Sequence, residues 1–272
     1  MSIRSSTLCV FLYASAAFGQ IYRPSGSPDS TTGDQISTTE VQVLSTIHEP
    51  DQLPIWVTTL QHFSTWSHGS NSFFLDVSGG QNLDFYKSQT GLYLEYAPVF
   101  NLTGWILPTP SKGSAIKSIG LSPQLNYGRT PSGEDINRVF LEGPDVLWNV
   151  PKFEVFETQF LARQELNFQP SWQFTWVYTI PLSVKKADFL IWGFMDIWRR
   201  VGIPERGTQS GKVLLAQPQF LYDLGSGSHK LKGLYVGFEL EPSHDYPISQ
   251  VHKGWNFAWS PMIRWVFSDK HE

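Results

Sequence analysis

Ser70-Asn71-Ser72-Phe73-Phe74-Leu75-Asp76-Val77 places Phe73, Leu75 and Val77 on one parity and Phe74 and Asp76 on the other. A β-strand sends successive side chains to opposite faces, so this is the pattern of a strand with two different environments. Leu234-Tyr235-Val236-Gly237-Phe238-Glu239-Leu240-Glu241 repeats it near the other end of the chain. The same rule, with the Val, Ile, Phe, Tyr and Trp content that suits pleated surfaces, predicts strands at 40–48, 55–65, 71–79, 91–101, 117–127, 137–148, 153–166, 171–182, 187–198, 212–224, 231–241 and 255–267. No segment between them predicts a convincing helix. The fold class is therefore all-β, with about twelve strands in a barrel or a sandwich.

The gaps between strands choose between those two. Ser67 to Ser70, Asn149 to Lys152, Ser183 to Lys186 and Gly225 to Lys230 are short, whereas Gly80 to Thr90, Tyr127 to Ile136, Arg199 to Gly211 and Ser243 to Gly254 are long. An up-and-down barrel puts odd and even connections at opposite rims, and outer-membrane barrels have short turns at one rim and long loops at the other. A sandwich gives no reason for such alternation. Two gaps break the rule: Leu102 to Lys117 is long where a short one is expected, and Asn167 to Pro170 is short where a long one is expected. The expectation is a closed antiparallel up-and-down transmembrane β-barrel.

Strand faces agree. In 171–180 one parity carries Trp172, Phe174, Trp176, Tyr178 and Ile180, and the other Gln173, Thr175, Val177 and Thr179. In 255–267 Phe257, Trp259, Ile263, Trp265 and Phe267 oppose Asn256, Ala258, Ser260 and Arg264. The first set in each strand suits lipid, with Trp and Tyr near strand ends as interfacial girdles.

The chain has 272 residues, 15% aromatic and 16% charged, with a formal net charge of −4. That charge is too mild for a nucleic-acid partner. No apolar run beyond the N-terminus is long enough for a helical span, which leaves strand-built spans open. Arg4, the apolar stretch Leu8 to Ala17 and Ala17-Phe18-Gly19 predict a signal peptide over 1–19. Residues 20–39, rich in Ser, Thr, Pro, Gly and Asp, are expected to be a flexible leader. The barrel domain is expected over 40–267, with a tail at 268–272. Cys9 is the only cysteine and lies in the predicted signal, so the mature chain has neither a disulfide nor a cysteine metal site. The remaining histidines outside His62 show no metal-ligand spacing, no phosphate-binding glycine loop occurs, and no cofactor is expected.

Parity also assigns an inward face. It pairs Phe74 with Asp76, Tyr93 with Glu95, Phe194 with Asp196, Gln217 with Gln219 and Tyr235 with Glu239, and it places Arg264 with Ser260. Aromatic rings stack on nucleobases at about 1–3 kcal/mol per base. Carboxylates and amides hydrogen-bond hydroxyls and base edges. A conducting lumen needs sites that bind well enough to admit a solute and weakly enough to release it.

Gln61-His62-Phe63-Ser64-Thr65-Trp66-Ser67-His68-Gly69-Ser70-Asn71-Ser72-Phe73-Phe74-Leu75-Asp76-Val77 resembles a hairpin of the nucleoside-specific outer-membrane channel family, the Tsx-like proteins. Gly91-Leu92-Tyr93-Leu94-Glu95-Tyr96-Ala97-Pro98 is similar to that family's next strand, and Ile191-Trp192-Gly193-Phe194-Met195-Asp196 to its Gly-Phe…Asp strand. The resemblance runs from about residue 40 to 267. It implies a twelve-stranded barrel with a narrow lumen, and passive diffusion of nucleosides across a bacterial-type outer membrane; a monomer with no enzymatic activity is expected. Asp76, Glu95, Phe194 and Asp196 fit the family pattern best. Phe267 is followed by Ser-Asp-Lys-His-Glu rather than ending the chain, and Asn101-Leu102-Thr103 is a glycosylation sequon. Both leave open a eukaryotic homologue entering the secretory pathway.

Two rivals belong to other classes. The first is a soluble secreted β protein that binds a ligand such as carbohydrate on its aromatic face. The second is an outer-membrane lipid hydrolase in which His62 activates Ser64, two residues along the same strand face. That chemistry also needs an orienting polar residue on the neighbouring strand.

Overall fold

The computed structural model describes residues 36–46, 55–79, 90–129, 135–227, 231–246 and 254–270. The predicted signal peptide and most of the predicted leader lie outside them. The strands are β1 (Ile36–Thr46), β2 (Ile55–Trp66), β3 (Gly69–Gly79), β4 (Thr90–Tyr96), β5 (Val99–Asn101), β6 (Ile116–Arg129), β7 (Asp135–Trp148), β8 (Val155–Glu165), β9 (Phe168–Gln169), β10 (Ser171–Val184), β11 (Ala187–Gly202), β12 (Gly211–Ala216), β13 (Gln219–Asp223), β14 (Leu234–His244) and β15 (Trp255–Lys270). All strand pairings are antiparallel and run β1-β2-β3-β4-β6-β7-β8-β10-β11-β12-β14-β15, with β5 and β13 continuing β4 and β12, and β15 returns to pair with β1, so one sheet closes on itself as a barrel. Among the described residues no second sheet stacks on it, and the sandwich alternative is set aside.

The barrel has twelve staves, because β4 with β5 and β12 with β13 each form one interrupted stave and the two-residue β9 only pairs with the end of β11. Both interruptions fall at proline. Pro98 and Pro218 have no N–H to give to the ladder. The bonds beside them hold the stave in place. Ala97 N–H donates to Ser72 O at 2.8 Å, Gln217 N–H to Phe194 O at 3.1 Å, and Pro218 O accepts from Leu240 N–H at 3.0 Å.

The sheet exceeds the expected bounds at both ends. Ile36 to Thr39, assigned to the leader, pair with Phe267 to Lys270, three of which were assigned to the tail. Closure explains the difference. Each end segment leaves a row of backbone donors and acceptors that only the other can satisfy.

The rims follow the gap rhythm. Tight turns join β2 to β3 at Ser67–His68 and β10 to β11 at Lys185–Lys186, with Lys185 at φ 59°. The unexpectedly long connection after β5 is tied to the barrel wall, where Ile119 N–H donates to Thr103 Oγ1 at 2.8 Å and Leu102 N–H to Ile119 O at 2.9 Å. The unexpectedly short one after β8 carries Asn167 at φ 66° and is strapped to the loop after β11: Thr208 Oγ1 donates to Asn167 O at 3.1 Å.

Side chains segregate by parity around the sheet. Val77, Leu121, Leu125, Phe140, Phe160 and Trp265 stand exposed on the outside. Gln42, Gln61, Asp76, Gln124, Glu157 and Asp196 are buried inside. Gly237 on β14 marks a close approach: a Cβ there would collide with the carbonyl oxygen of Phe220 and lie 3.0 Å from Leu221 Cα on β13. Gly237→Val is expected to lower stability by about 1–3 kcal/mol, the range for overpacking. The measurement is the urea midpoint of the refolded barrel, and an unchanged midpoint would show that β13 and β14 do not approach in this way.

Candidate functional site: the barrel interior

Of the sequence-selected residues, Phe74, Asp76, Tyr93, Glu95, Phe194, Asp196, Gln217, Gln219, Glu239 and Arg264 are all on the inward face and at most 5% exposed. Tyr235 points the same way and is half-buried, packed with Leu44, Val57 and Trp192. The interior is filled, since side chains from opposite walls meet. Phe74 and Tyr93 on β3 and β4 join Val177, Phe194, Trp198 and Leu215 on β10, β11 and β12 in one cluster.

Three polar layers surround that cluster. Toward the short-turn rim, Arg264 of β15 grips Glu40 of β1 through Nη2 at 2.6 Å and Nε at 3.0 Å. Its guanidinium carbon lies 5.3 Å from the Trp192 ring centroid and 5.9 Å from that of Tyr235. Gln42 donates to Glu40 at 2.6 Å and accepts from Gln219 Nε2 at 3.1 Å. The Gln219–Gln42 bond cuts a corner of the lumen between staves three apart, because β14 and β15 lie between β13 and β1.

In the middle, Thr59 and Thr175 hydroxyls donate to Asp76 and Asp196, each across one strand pair. The Phe74 and Tyr93 ring centroids are 5.7 Å apart, and Tyr93 donates to Glu95 at 3.4 Å. Glu95 lies within electrostatic reach of Asp196 and Asp76, so three selected carboxyl groups share this level with three selected aromatics. Gln124, Gln159, Asp145 and Glu157 continue the polar lining on β6, β7 and β8, with Gln159 Nε2 donating to Asp145 at 2.9 Å and to Glu157 at 3.0 Å.

Toward the long-loop rim, Glu165 bridges two arginines, Arg163 at 3.0 Å and Arg200 at 2.7 Å. Arg163 also covers the Trp198 ring at 4.8 Å. Tyr246, just beyond β14, packs on Trp198 with centroids 5.9 Å apart and belongs to the same buried cluster. Burial, with Glu241 nearby, holds its phenol well above the ordinary tyrosine range.

Sequence reasoning missed Glu40, Gln42, Arg163, Glu165, Trp198 and Arg200. The signal for Arg163 and Glu165 was present: Glu157, Gln159, Leu161, Arg163 and Glu165 share a parity opposite Phe156, Thr158 and Phe160. Arg200 lay beyond the expected strand end at 198, and Glu40 at the very start of the expected first strand.

His62 and Ser64 are on the outward parity, flanking buried Phe63. His62 Nδ1 is 3.0 Å from Thr39 Oγ1 on the neighbouring strand, so the orienting position is held by a hydroxyl. Among the described residues, no group of three or more His, Cys, Asp or Glu is placed to hold a metal ion.

Comparison with known proteins returns structural likeness only. No family model and no curated protein matches the sequence. Among solved structures, the chain is similar to a KdgM porin in complex with disordered oligogalacturonate, with a TM-score of 0.45 and 8% identity over 85% of this chain and 99% of that one. It is similar to OccK11 of Pseudomonas aeruginosa, with a TM-score of 0.38 and 10% identity over 86% and 96% of the two chains. The translocator domain of the autotransporter NalP from Neisseria meningitidis gives 0.36 and 9%, over 86% and 88%.

The Glu40–Arg264 pair supplies a test of the interior. Arg264→Met alone leaves a buried carboxylate without its cation and is expected to cost about 3–5 kcal/mol, whereas Glu40→Leu with Arg264→Met should recover most of that loss. Denaturant unfolding of the three refolded proteins checks it. A double variant no more stable than the single one would mean that the pair is not buried as described.

Proposed function

We propose that the chain is an outer-membrane barrel channel for small polar solutes, nucleosides first. One observation carries the reading: a single closed sheet with an apolar, aromatic outside and a polar, aromatic inside. Soluble monomers rarely expose contiguous apolar patches beyond a few hundred Å², and here Leu121, Leu125, Phe140 and Phe160 continue the exposed face across β6, β7 and β8. Lipid is the solvent that suits this surface, and closure leaves no backbone edge for it to desolvate.

The middle layer suits a nucleoside. Phe74, Tyr93 and Phe194 offer ring faces beside Asp76, Glu95 and Asp196, which accept hydrogen bonds from ribose hydroxyls and base amino groups. The interior as described is closed by its own side chains, so a solute passes only by displacing contacts such as Gln219–Gln42. Small, brief conductance steps follow from that, not the large steady currents of a wide pore. In this reading the barrel is a monomer, and closure within one chain means that no second chain is needed to complete the sheet.

The full chain refolded in detergent should migrate faster on a gel before heating than after. In a planar bilayer, adenosine or thymidine should block its conductance. Phe194→Ala should weaken the block about tenfold, within the range for a lost stacking contact, and Asp76→Asn by about tenfold as well, within the range for a hydrogen bond to a charged group. Leu75→Ala and Val77→Ala, on the outward parity, should leave it unchanged. Conductance without nucleoside block would retain the channel and remove the solute. Equal effects of the inward and outward substitutions would overturn the assignment of faces.

A further inference from the structure

The two arginines toward the long-loop rim are bonded unequally. Arg163 uses every nitrogen of its guanidinium: Nε and Nη2 donate to Glu165 at 3.1 and 3.0 Å, and Nη1 donates to Gln173 Oε1. Arg200 turns only one edge to Glu165, with Nε at 2.9 Å and Nη2 at 2.7 Å from Oε1. Its Nη1 lies on the other side of that planar group, is buried, and has no hydrogen-bond partner among the described residues. A donor on a charged group is costly to bury without an acceptor.

Charge points the same way. Arg163, Arg200 and Glu165 together carry one net positive charge, and a guanidinium does not shed its proton on burial as an ammonium can. Glu241, the other acid near Tyr246, is bonded to Gln217 Nε2 at 2.9 Å, and no ion pair joins it to either arginine among the described residues. The Phe168 and Trp198 ring centroids lie 5.0 and 5.7 Å from the Arg200 guanidinium carbon. The cluster also sits at a mouth. Arg200 is two residues from the end of β11, and its side chain is 10% exposed against 2% for Arg163. On the inner side, Trp198 belongs to the same buried cluster as Phe74, Tyr93 and Phe194.

We propose that Arg200 Nη1, backed by Arg163 and flanked by Trp198 and Phe168, is the subsite for the anionic end of a solute whose ring occupies the Phe74–Tyr93–Phe194 level, a nucleoside monophosphate being the type case. The inference rests on the channel reading above and adds the charged group of the solute. A phosphate oxygen supplies the acceptor that Nη1 lacks, and its charge offsets the excess cation. The Nε and Nη2 edge stays on Glu165, so binding leaves the ion pair whole. Charge-assisted bonds of this kind are stronger where water is scarce. The base then stacks on the rings further in, and the subsite holds the phosphate at the long-loop mouth.

The test compares adenosine with adenosine 5′-monophosphate on the full refolded chain, by block of conductance in a planar bilayer and by calorimetric binding in detergent. The monophosphate is expected to block and to bind at about tenfold lower concentration, the range for one hydrogen bond to a charged group. General attraction would not produce this, since the chain's formal net charge is −4. Arg200→Gln leaves Glu165 paired with Arg163 and should bring the two ligands within about twofold of each other. Arg200→Lys, which keeps a cation beside Glu165 and lacks the second edge, should do the same and serves if the Gln variant does not fold by gel migration. Adenosine block without a preference for the monophosphate overturns the subsite and leaves the channel. A folded variant with the parent's preference overturns the role of Arg200. Preferential binding of the monophosphate without conductance overturns the channel reading and leaves the subsite as a binding site. Neither binding nor conductance overturns both.

Discussion

The ladder between β1 and β15 joins the two ends of the chain, and the rest of the barrel depends on it. Nine residue pairs, from Ile36 with Lys270 to Leu44 with Met262, turn an open sheet into a closed one. Without them, two long edges would expose unpaired N–H and C=O groups, each costly wherever water is scarce. Closure also defines an inside. The Glu40–Arg264 pair sits on this seam and ties the first and last strands by side chains as well as by backbone. A residue near the start of the described chain and one near its end thus share a charge-assisted bond that neither could form in an open sheet.

Closing the sheet creates a second problem. A small barrel has an interior that its own side chains can fill. Here they fill it with amides, hydroxyls, carboxyl groups and rings in place of aliphatic groups. Buried polar groups stay affordable only when hydrogen-bonded. Chains such as Gln124–Gln159–Asp145 and Glu239–Gln219–Gln42 meet that need with groups that can exchange partners. An aliphatic filling would pack as well and offer a polar solute nothing. A polar filling keeps the wall stable at rest and supplies replacement partners during passage. The proposed function draws on this property.

Strand number and the inward face were legible because both depend on local, short-period patterns. Phe74 with Asp76, Phe194 with Asp196 and Gln217 with Gln219 fell on the buried parity as expected, even though Pro218 interrupts the last pair. The expected strand at 91–101 likewise spans β4, the Pro98 break and β5. Strand ends were less legible. Arg200 and Ile36 to Thr39 belong to strands because of what lies across from them. Nothing in their own neighbourhood announces it: Ser37, Thr38 and Thr39 have the composition of a linker, and pairing with His62 to Ser64 on one side and Phe267 to Asp269 on the other makes them a strand.

Alternation along each segment, then, was enough to determine the all-β class, the count of staves and the face on which each side chain would lie, because a strand's two-residue period needs no partner to be read. The tertiary structure alone decided which inward residues meet. Glu40 meets Arg264, Glu165 holds both Arg163 and Arg200, and Gln219 reaches Gln42 past two intervening strands. Those meetings depend on the stagger of neighbouring strands and on the curvature that closes the sheet. Both are properties of the whole ring of hydrogen bonds, and no single segment contains them.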